Sequence, residues 1–320
     1  MIRALLASLL LFAWPCSGAE IHGAGATFPA PVYLKWAEAY QSRTGIAVFY
    51  DAVGSGEGIA RIRANAVDFG ATDVPLAAGE LAAAGLVEFP TLIGGVVPVA
   101  NVPGIAPGAL RLTGALLADI YLGRVRKWND PAIAALNPGI ALPAANITVV
   151  HRADASGSTF LWTRYLAAAS SAWQDGVGSG LVVAWPAGTG GNGNEGVASY
   201  VHRTRFALGY VEYAYAKAHR LGDISLRNRE GRFVRAGIDA FRAAAASFDA
   251  DATTIPIDAP GDASWPVTGA SFILLRKDAA ASIAFFDWAL HDGAAAAEAL
   301  DYVPLPAPVI DRILDDLTHR

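Results

Sequence analysis

The sequence predicts an α/β protein with largely parallel sheets. Three observations lead there. Short runs of β-formers are followed repeatedly by a Gly/Ser-rich loop and a helical apolar period; hairpin signals between the runs are missing; and 320 residues at 53% hydrophobic content suffice for two domains with sizeable cores.

In chain order, Val32, Tyr33, Trp36 and Tyr40 fall on one helical face and Gly45 stands where a C-terminal cap belongs, which predicts a helix over 29–43. IAVFY (46–50) reads as a strand, DAVGSGEG as a turn, and IARIRANAV as a helix with Ile59, Ile62 and Ala66 on one side. DFGATD (68–73) is a short strand ending at a carboxylate, and LIGGVVPVA (92–100) a buried strand. LTGALLADIYLGRVRKWND gives a helix and turn, and PAIAALNPG a helix entered at Pro131 and left at Gly139. ITVVHR (147–152) runs through ADASGST into the helix FLWTRYLAAAS, repeating the strand, polar loop, helix design. PAGTGGNGNEG (186–196) is a tight loop ahead of the helix VASYVHRT. After ALGYVEYAYA come a polar patch, a helix around 238–248 and a connection with Pro256, Pro260 and Pro266. SFILLRK then forms a strand, and AASIAFFDWAL and VIDRILDDL form helices. Trp36, Tyr40, Trp162 and Tyr165, at helical spacing, belong to the core.

The first residues have the pattern of an export signal: Arg3, the apolar stretch Ala4 to Trp14, and Ser17-Gly18-Ala19 before Glu20. The stretch is shorter than the roughly 20 apolar residues of a spanning helix, and Pro15 interrupts it. The expected product is a periplasmic protein with residues 1–19 removed. Lipidation at Cys16 is the weaker alternative, because Ala13-Trp14-Pro15 is a poor match to the small residues expected before a lipidated cysteine. Cleavage after Ala19 removes the chain's one cysteine, and with it any disulfide or thiolate metal site. A formal charge of -5 argues against nucleic acid as a partner.

Three loops place a small hydroxyl residue where a helix begins: Thr27 before Phe28-Pro29, Ser55 between Gly54 and Gly56, and Ser156 ahead of Gly157-Ser158. Helix starts offer unpaired N–H groups and the positive end of the peptide dipoles, which suits an oxyanion. For one isolated loop an ordinary serine N-cap is the better account. Three such loops, with Arg152 four residues before Ser156, favour anion binding. Arg152 brings a planar fork of donors that Asp154 could hold in place; the plain alternative is an exposed pair worth at most about 1 kcal/mol. Asp73 would repel an anion unless the ligand carries a proton to donate, as phosphate does and sulfate does not.

Other motifs carry less. GAGATF lacks the third Gly and preceding strand of a dinucleotide fingerprint, and no GKS or GKT makes a P-loop. The six His residues show no metal-ligand spacing, so no metal or cofactor is expected; His22, His151 and His202 are read as surface or capping residues. Ser156 near His151 and Asp154 invites a nucleophile reading, but there is no GxSxG elbow.

GAGATFPAPVYLKWAEAY, VGSGEGIARI, DFGATD, IYLGRVRKWNDPAIAALNPG, HRADASGSTFLWTRYL, GGNGNEGVASYV and ALGYVEYAYA together resemble the phosphate-binding proteins of phosphate-specific ABC transporters, over nearly all of the sequence after residue 19. The resemblance implies a type II periplasmic solute-binding fold: two lobes, two crossing strands and a ligand cleft between. Lobe one would hold residues 20–93 and 269–320, and lobe two 94–268. Phosphate would meet Thr27, the Phe28 N–H, Ser55, Asp73 as proton acceptor, Arg152, Ser156, Gly157 and Ser158, with Asp154 supporting Arg152. No catalysis is implied; the partners would be inorganic phosphate and the permease with its ATPase, and the protein would be a monomer. A secreted hydrolase using Ser156 or Ser55, a surface scaffold and a binder of another oxyanion are the alternatives. Three departures from the family pattern stand out: Ser158 replaces a usual Thr, Ala155 a usual Gly, and Gly56-Glu57 smaller neutral residues. Glu57 is expected to face solvent.

Overall fold

The computed structural model describes residues 20–248 and 256–319, so the expected export signal, Cys16 included, lies outside the described residues. The first helix forms at Ala30–Thr44. Pro29 stands at its N-cap, and Gly45 ends it in the left-handed conformation with its N–H on the Gln41 carbonyl. Its apolar face buries Val32, Tyr33, Trp36 and Tyr40, and the Trp36 indole donates to the Gly293 carbonyl at 2.9 Å.

A 10-stranded sheet runs through the molecule, and its order explains where the loops meet. Ala47–Ala52, Glu20–Gly25 and Phe69–Thr72 lie side by side and parallel. At the other end of the same sheet Ala207–Glu212, Thr148–Arg152 and Thr189–Gly191 are also parallel neighbours. Between these groups stand the two long strands Thr268–Arg276 and Leu86–Ala100. Leu86 to Gly95 pairs with Thr268–Arg276, and Val96 to Ala100 pairs with Ala207–Glu212, so one strand serves both groups. Beside it, the Val96 N–H donates to the Val267 carbonyl, and the Trp265 indole donates to the Val96 carbonyl at 2.9 Å.

The sheet is largely parallel within its two outer groups, as expected, and mixed at its centre, where both long strands run antiparallel to their neighbours. A chain passing straight from one parallel group to the other and back has no helix to reverse it, so antiparallel pairing is the available register. The polar patch after residue 218 also holds a small sheet of Ser225–Arg227, Phe233–Val234 and Arg111–Leu112, which the sequence pattern did not mark. GAGATF is also entered through a strand it was expected to lack, Glu20–Gly25, whose sequence EIHGAG has little β-branched character.

Each parallel group packs around its own aromatic cluster. Tyr33 stacks on Trp36 and meets Tyr50 and Phe286 edge-on, while Phe69 packs on Tyr50 and Phe286. In the second group Tyr210 stacks on Trp162, and Tyr121 packs on Trp162, Trp173 and Trp185. Such pairs add about 0.5–1.5 kcal/mol each beyond burial. Trp36, Tyr40, Trp162 and Tyr165 are all buried, as helical spacing indicated. His151 is not a surface residue: it is half-buried, stacked on Trp185 at 4.8 Å, and burial lowers its pKa. No helix among the described residues is long and apolar enough to cross a membrane.

Candidate functional site

The carboxyl ends of the two parallel groups face each other, the usual place for ligands in open α/β sheets. Thr27 and Phe28 follow Glu20–Gly25, Ser55 opens the helix after Ala47–Ala52, and Asp73 follows Phe69–Thr72. From the other group, Arg152 ends its strand and Ser156, Gly157 and Ser158 begin the helix Gly157–Ala169. Thr27, Phe28, Ser55, Asp73, Arg152, Ser156 and Ser158 are all buried.

The two sides touch directly. The Gly157 N–H donates to Ser55 Oγ at 3.1 Å, the Gly56 N–H to the Ala155 carbonyl at 3.0 Å, and the Tyr215 hydroxyl to the Thr27 carbonyl at 2.8 Å. Glycine is required at two positions where the sides meet, Gly157 and Gly54. A Cβ on Gly157 would stand 2.7 Å from Ser55 Oγ and overlap the Asp73 carboxyl, and one on Gly54, at φ +99, would lie 2.9 Å from the Ala155 carbonyl and overlap Asp154. Gly157→Ala should therefore hold the cleft ajar. An overpacking strain of about 1–3 kcal/mol converts to an affinity loss of about 5- to 150-fold for the ligand, read by titration calorimetry against an unchanged far-UV spectrum.

Arg152 is held by its own loop. Its Nε donates to Asp154 Oδ1 at 2.7 Å and its Nη2 to Asp154 Oδ2, while the Gly193 N–H donates to Asp154 Oδ1 at 3.0 Å. Burial pushes the Asp154 carboxyl up, but Arg152 and the backbone donors together hold it below the usual carboxylate range. The remaining guanidinium nitrogen, Nη1, is buried with no hydrogen-bond partner among the described residues. A buried charged donor without a protein acceptor is free to bond a water or a ligand. The exposed-pair reading of Arg152 and Asp154 thus fails on burial, with side-chain exposures of 1% and 17%.

Asp73 is the one carboxyl of the cluster not tied to a cation by an ion pair. Ser271 donates to its Oδ1 at 2.9 Å, and Ser55 Oγ stands 3.5 Å from its Oδ2. Burial pushes its pKa up to about 7, against the opposing pull of Ser271, Arg152 and Ser55. The folded value lies above the ordinary 3.8, so the associated stability is complete below pH 4 and disappears as pH rises through 7. A shift of this size is worth on the order of 4 kcal/mol. The ligand-free protein should unfold at a lower temperature at pH 8 than at pH 5. Asp73→Asn should remove part of that difference in a thermal-melt series, since burial also raises Glu88 and Glu212.

The hydroxyls are mostly occupied as acceptors. Ser55 Oγ receives the N–H groups of Gly157 and Asp73, and Ser156 Oγ receives the Thr159 N–H at 3.1 Å. Ser156 is thus the N-cap of its helix, the plain reading offered by its sequence position. The Gly157 N–H is taken by Ser55 and the Thr159 N–H by Ser156, so the Ser158 N–H is the first-turn amide left without an acceptor among the described residues. The three departures from the family pattern are accommodated. Ser158 keeps a buried hydroxyl, Ala155 has no positive φ, and Glu57 is exposed and paired with Arg61 at 2.8 Å.

Two site residues escaped the sequence reading. Ser271 sits at a β-bulge between Ser271 and Phe272, which re-aims its side chain at Asp73; a lone hydroxyl at the head of SFILLRK was the available signal. Asn194 lies in GGNGNEG, part of the expected loop over 186–196; the segment instead forms the strand Thr189–Gly191 and the start of the helix Gly193–Arg203, from which Asn194 donates through Nδ2 to Thr27 Oγ1 at 2.9 Å. A cavity of about 670 Å³ elsewhere, lined by Leu122, Arg126, Lys127, Ile147 and Tyr200, contains none of these residues. Among the described residues no cluster of His, Cys, Asp and Glu is arranged to hold a metal ion.

Two parallel groups joined by long crossing strands, with buried polar loops converging between them, define a two-lobed solute-binding protein, and residues 12–292 match the PBP superfamily domain. The chain belongs to the PstS family of phosphate-binding proteins. It is 50% identical to the phosphate-binding protein PstS of Pasteurella multocida, over 97% of this chain and 94% of that protein. It is 34% identical to PstS of Methanocaldococcus jannaschii, over 90% of this chain and 83% of that protein. Among solved structures, the periplasmic phosphate-binding protein PfluDING, bound with phosphate, superposes with TM-score 0.68 at 20% identity, covering 92% of each chain. A phosphate-bound substrate-binding protein from Clostridium perfringens superposes with TM-score 0.64 at 18% identity, covering 90% of this chain and all of that one. At those identities the superpositions speak for the fold.

Proposed function

We propose that this protein binds inorganic phosphate in the periplasm and delivers it to an ABC importer, with no catalytic step. The observation that carries the reading is the buried Arg152 Nη1 without a partner, set among hydroxyl and amide donors with Asp73 as the nearby acceptor. Phosphate would receive hydrogen bonds from Arg152, the Phe28 and Ser158 N–H groups, and the hydroxyls of Thr27, Ser55, Ser156 and Ser158, and would share its proton with Asp73. Gly157 supports closure by bonding Ser55 and leaving room for Asp73. We place residues 20–93 and 269–320 in one lobe and 94–268 in the other, with the hinge in Leu86–Ala100 and the segment before Thr268. Ligand contacts from both lobes exist together only in the closed form, so phosphate shifts the population toward it, and that form would dock on the permease. Residues 1–19 would direct export and be removed, leaving a soluble monomer; the mass of the mature protein distinguishes this from lipidation at Cys16.

The hydrolase reading has no support in the geometry. Ser156 Oγ is engaged as a helix cap, and no His ring bonds Ser55 or Ser156 among the described residues. Titration with phosphate and with sulfate at neutral pH tests the proposal: phosphate should bind at micromolar affinity or tighter, about -8 kcal/mol or better, and sulfate weakly. Absence of phosphate binding, or steady turnover of a phosphate ester, would overturn it.

A further inference from the structure

We propose that Asn194 is a positioning residue of this site, one that fixes the hydroxyls of Thr27 and Ser158 as hydrogen donors to the ligand and ties the lobes together. The inference rests on the phosphate-binding reading above and concerns a residue that makes no ligand contact in it.

The orientation of the Asn194 amide follows from its surroundings. Asn194 is fully buried, and the Glu212 N–H donates to its Oδ1 at 3.0 Å, so the oxygen faces that backbone group and Nδ2 faces the other way. Nδ2 donates to Thr27 Oγ1 at 2.9 Å and lies 3.4 Å from Ser158 Oγ, while the Asn194 backbone N–H donates to Thr27 Oγ1 at 3.2 Å. Both lone pairs of the Thr27 hydroxyl are thereby filled. A hydroxyl in that state can only donate, and its hydrogen has no acceptor among the described residues. Ser158 Oγ is biased the same way by one bond.

Asn194 also spans the cleft, since Thr27 follows the first parallel group and Asn194 follows the second. The preceding residue supplies the Gly193 N–H that holds Asp154, and through it Arg152. The first two residues of the helix Gly193–Arg203 therefore orient the cation and two hydroxyls. Asp73 is left as the group that accepts, which sharpens the demand for a ligand bearing a proton.

The experiment is a double-mutant cycle on the full mature chain, with inorganic phosphate titrated by calorimetry into wild type, Asn194→Ala, Thr27→Val and the double variant. Loss of the Asn194 bonds should weaken phosphate binding about 5- to 150-fold. In the Thr27→Val background the same change should cost at least fivefold less, because the hydroxyl it orients is gone. Asn194→Asp should bind phosphate more weakly than Asn194→Ala, since its carboxylate draws both hydroxyl hydrogens away from the ligand. Asn194→Ala within twofold of wild type, or effects that multiply across the cycle, would overturn the inference while leaving phosphate binding intact; a wild-type protein that binds no phosphate removes the underlying reading instead. Should Asn194→Ala fail to fold, Asn194→Ser carries the same cycle with the same outcomes.

Discussion

Arg152→Met should weaken phosphate binding by about 30-fold to several thousand-fold, the range expected when one partner of a buried charge pair is truncated at about 2–5 kcal/mol. The loss has two origins. The ligand forfeits the Nη1 donor, and Asp154, left with the Gly193 N–H but without its cation, becomes an uncompensated negative charge beside an anion site. Arg152→Lys restores the charge but not the fork that bonds Asp154 through Nε and Nη2 while presenting Nη1, so it should recover only part of the affinity. Calorimetric titration of the three proteins, with thermal melts as a folding control, decides the matter. Equal affinity in wild type and Arg152→Met would remove Arg152 from the site.

Asp73→Asn should have its largest effect on selectivity. With Asp73 ionised, a sulfate oxygen would face a carboxylate with no hydrogen between them, and a mismatch of that kind can reach a discrimination of about 10⁴–10⁵. The asparagine amide can donate instead, so sulfate affinity should rise by two orders of magnitude or more while phosphate binding falls far less. Because burial places the Asp73 pKa about 7, its protonated form grows as pH falls and can itself donate to sulfate. Wild-type preference for phosphate over sulfate should therefore widen from pH 6 to pH 8, and the variant should show little such trend. Paired titrations across that range are the check; a pH-independent preference in wild type would detach selectivity from Asp73.

Much of this site was legible in the sequence because its parts are local. A hydroxyl between glycines at a helix start, or an Arg two residues from an Asp, states its chemistry within a few positions: Ser55 does open its helix, and Arg152 does pair with Asp154. The α/β class was legible for the same reason, since each strand, loop and helix unit carries its own period. What stayed hidden is non-local. Ser271 reaches Asp73 only through a bulge in a strand 198 positions away, and Asn194 reaches Thr27 across 167 positions. The antiparallel run of the long strands depends on how the two parallel groups are joined, which no window of sequence reports. The cap role of Ser156 shows the converse: a residue type suited to two tasks gives no sign of which hydrogen bond it will make.

The shared strand Leu86–Ala100 has a mechanical consequence. A filament stitched edgewise into both halves would bend or twist rather than fray if they parted, keeping its ladder bonds on either side of Gly95 and Val96. The work of opening would then reside largely in the mouth of the molecule, at Gly56 with Ala155, Gly157 with Ser55, and Tyr215 and Asn194 with Thr27. Deuterium uptake should accordingly stay slow along the spine in empty and loaded protein alike, while the amides at the lips respond to cargo.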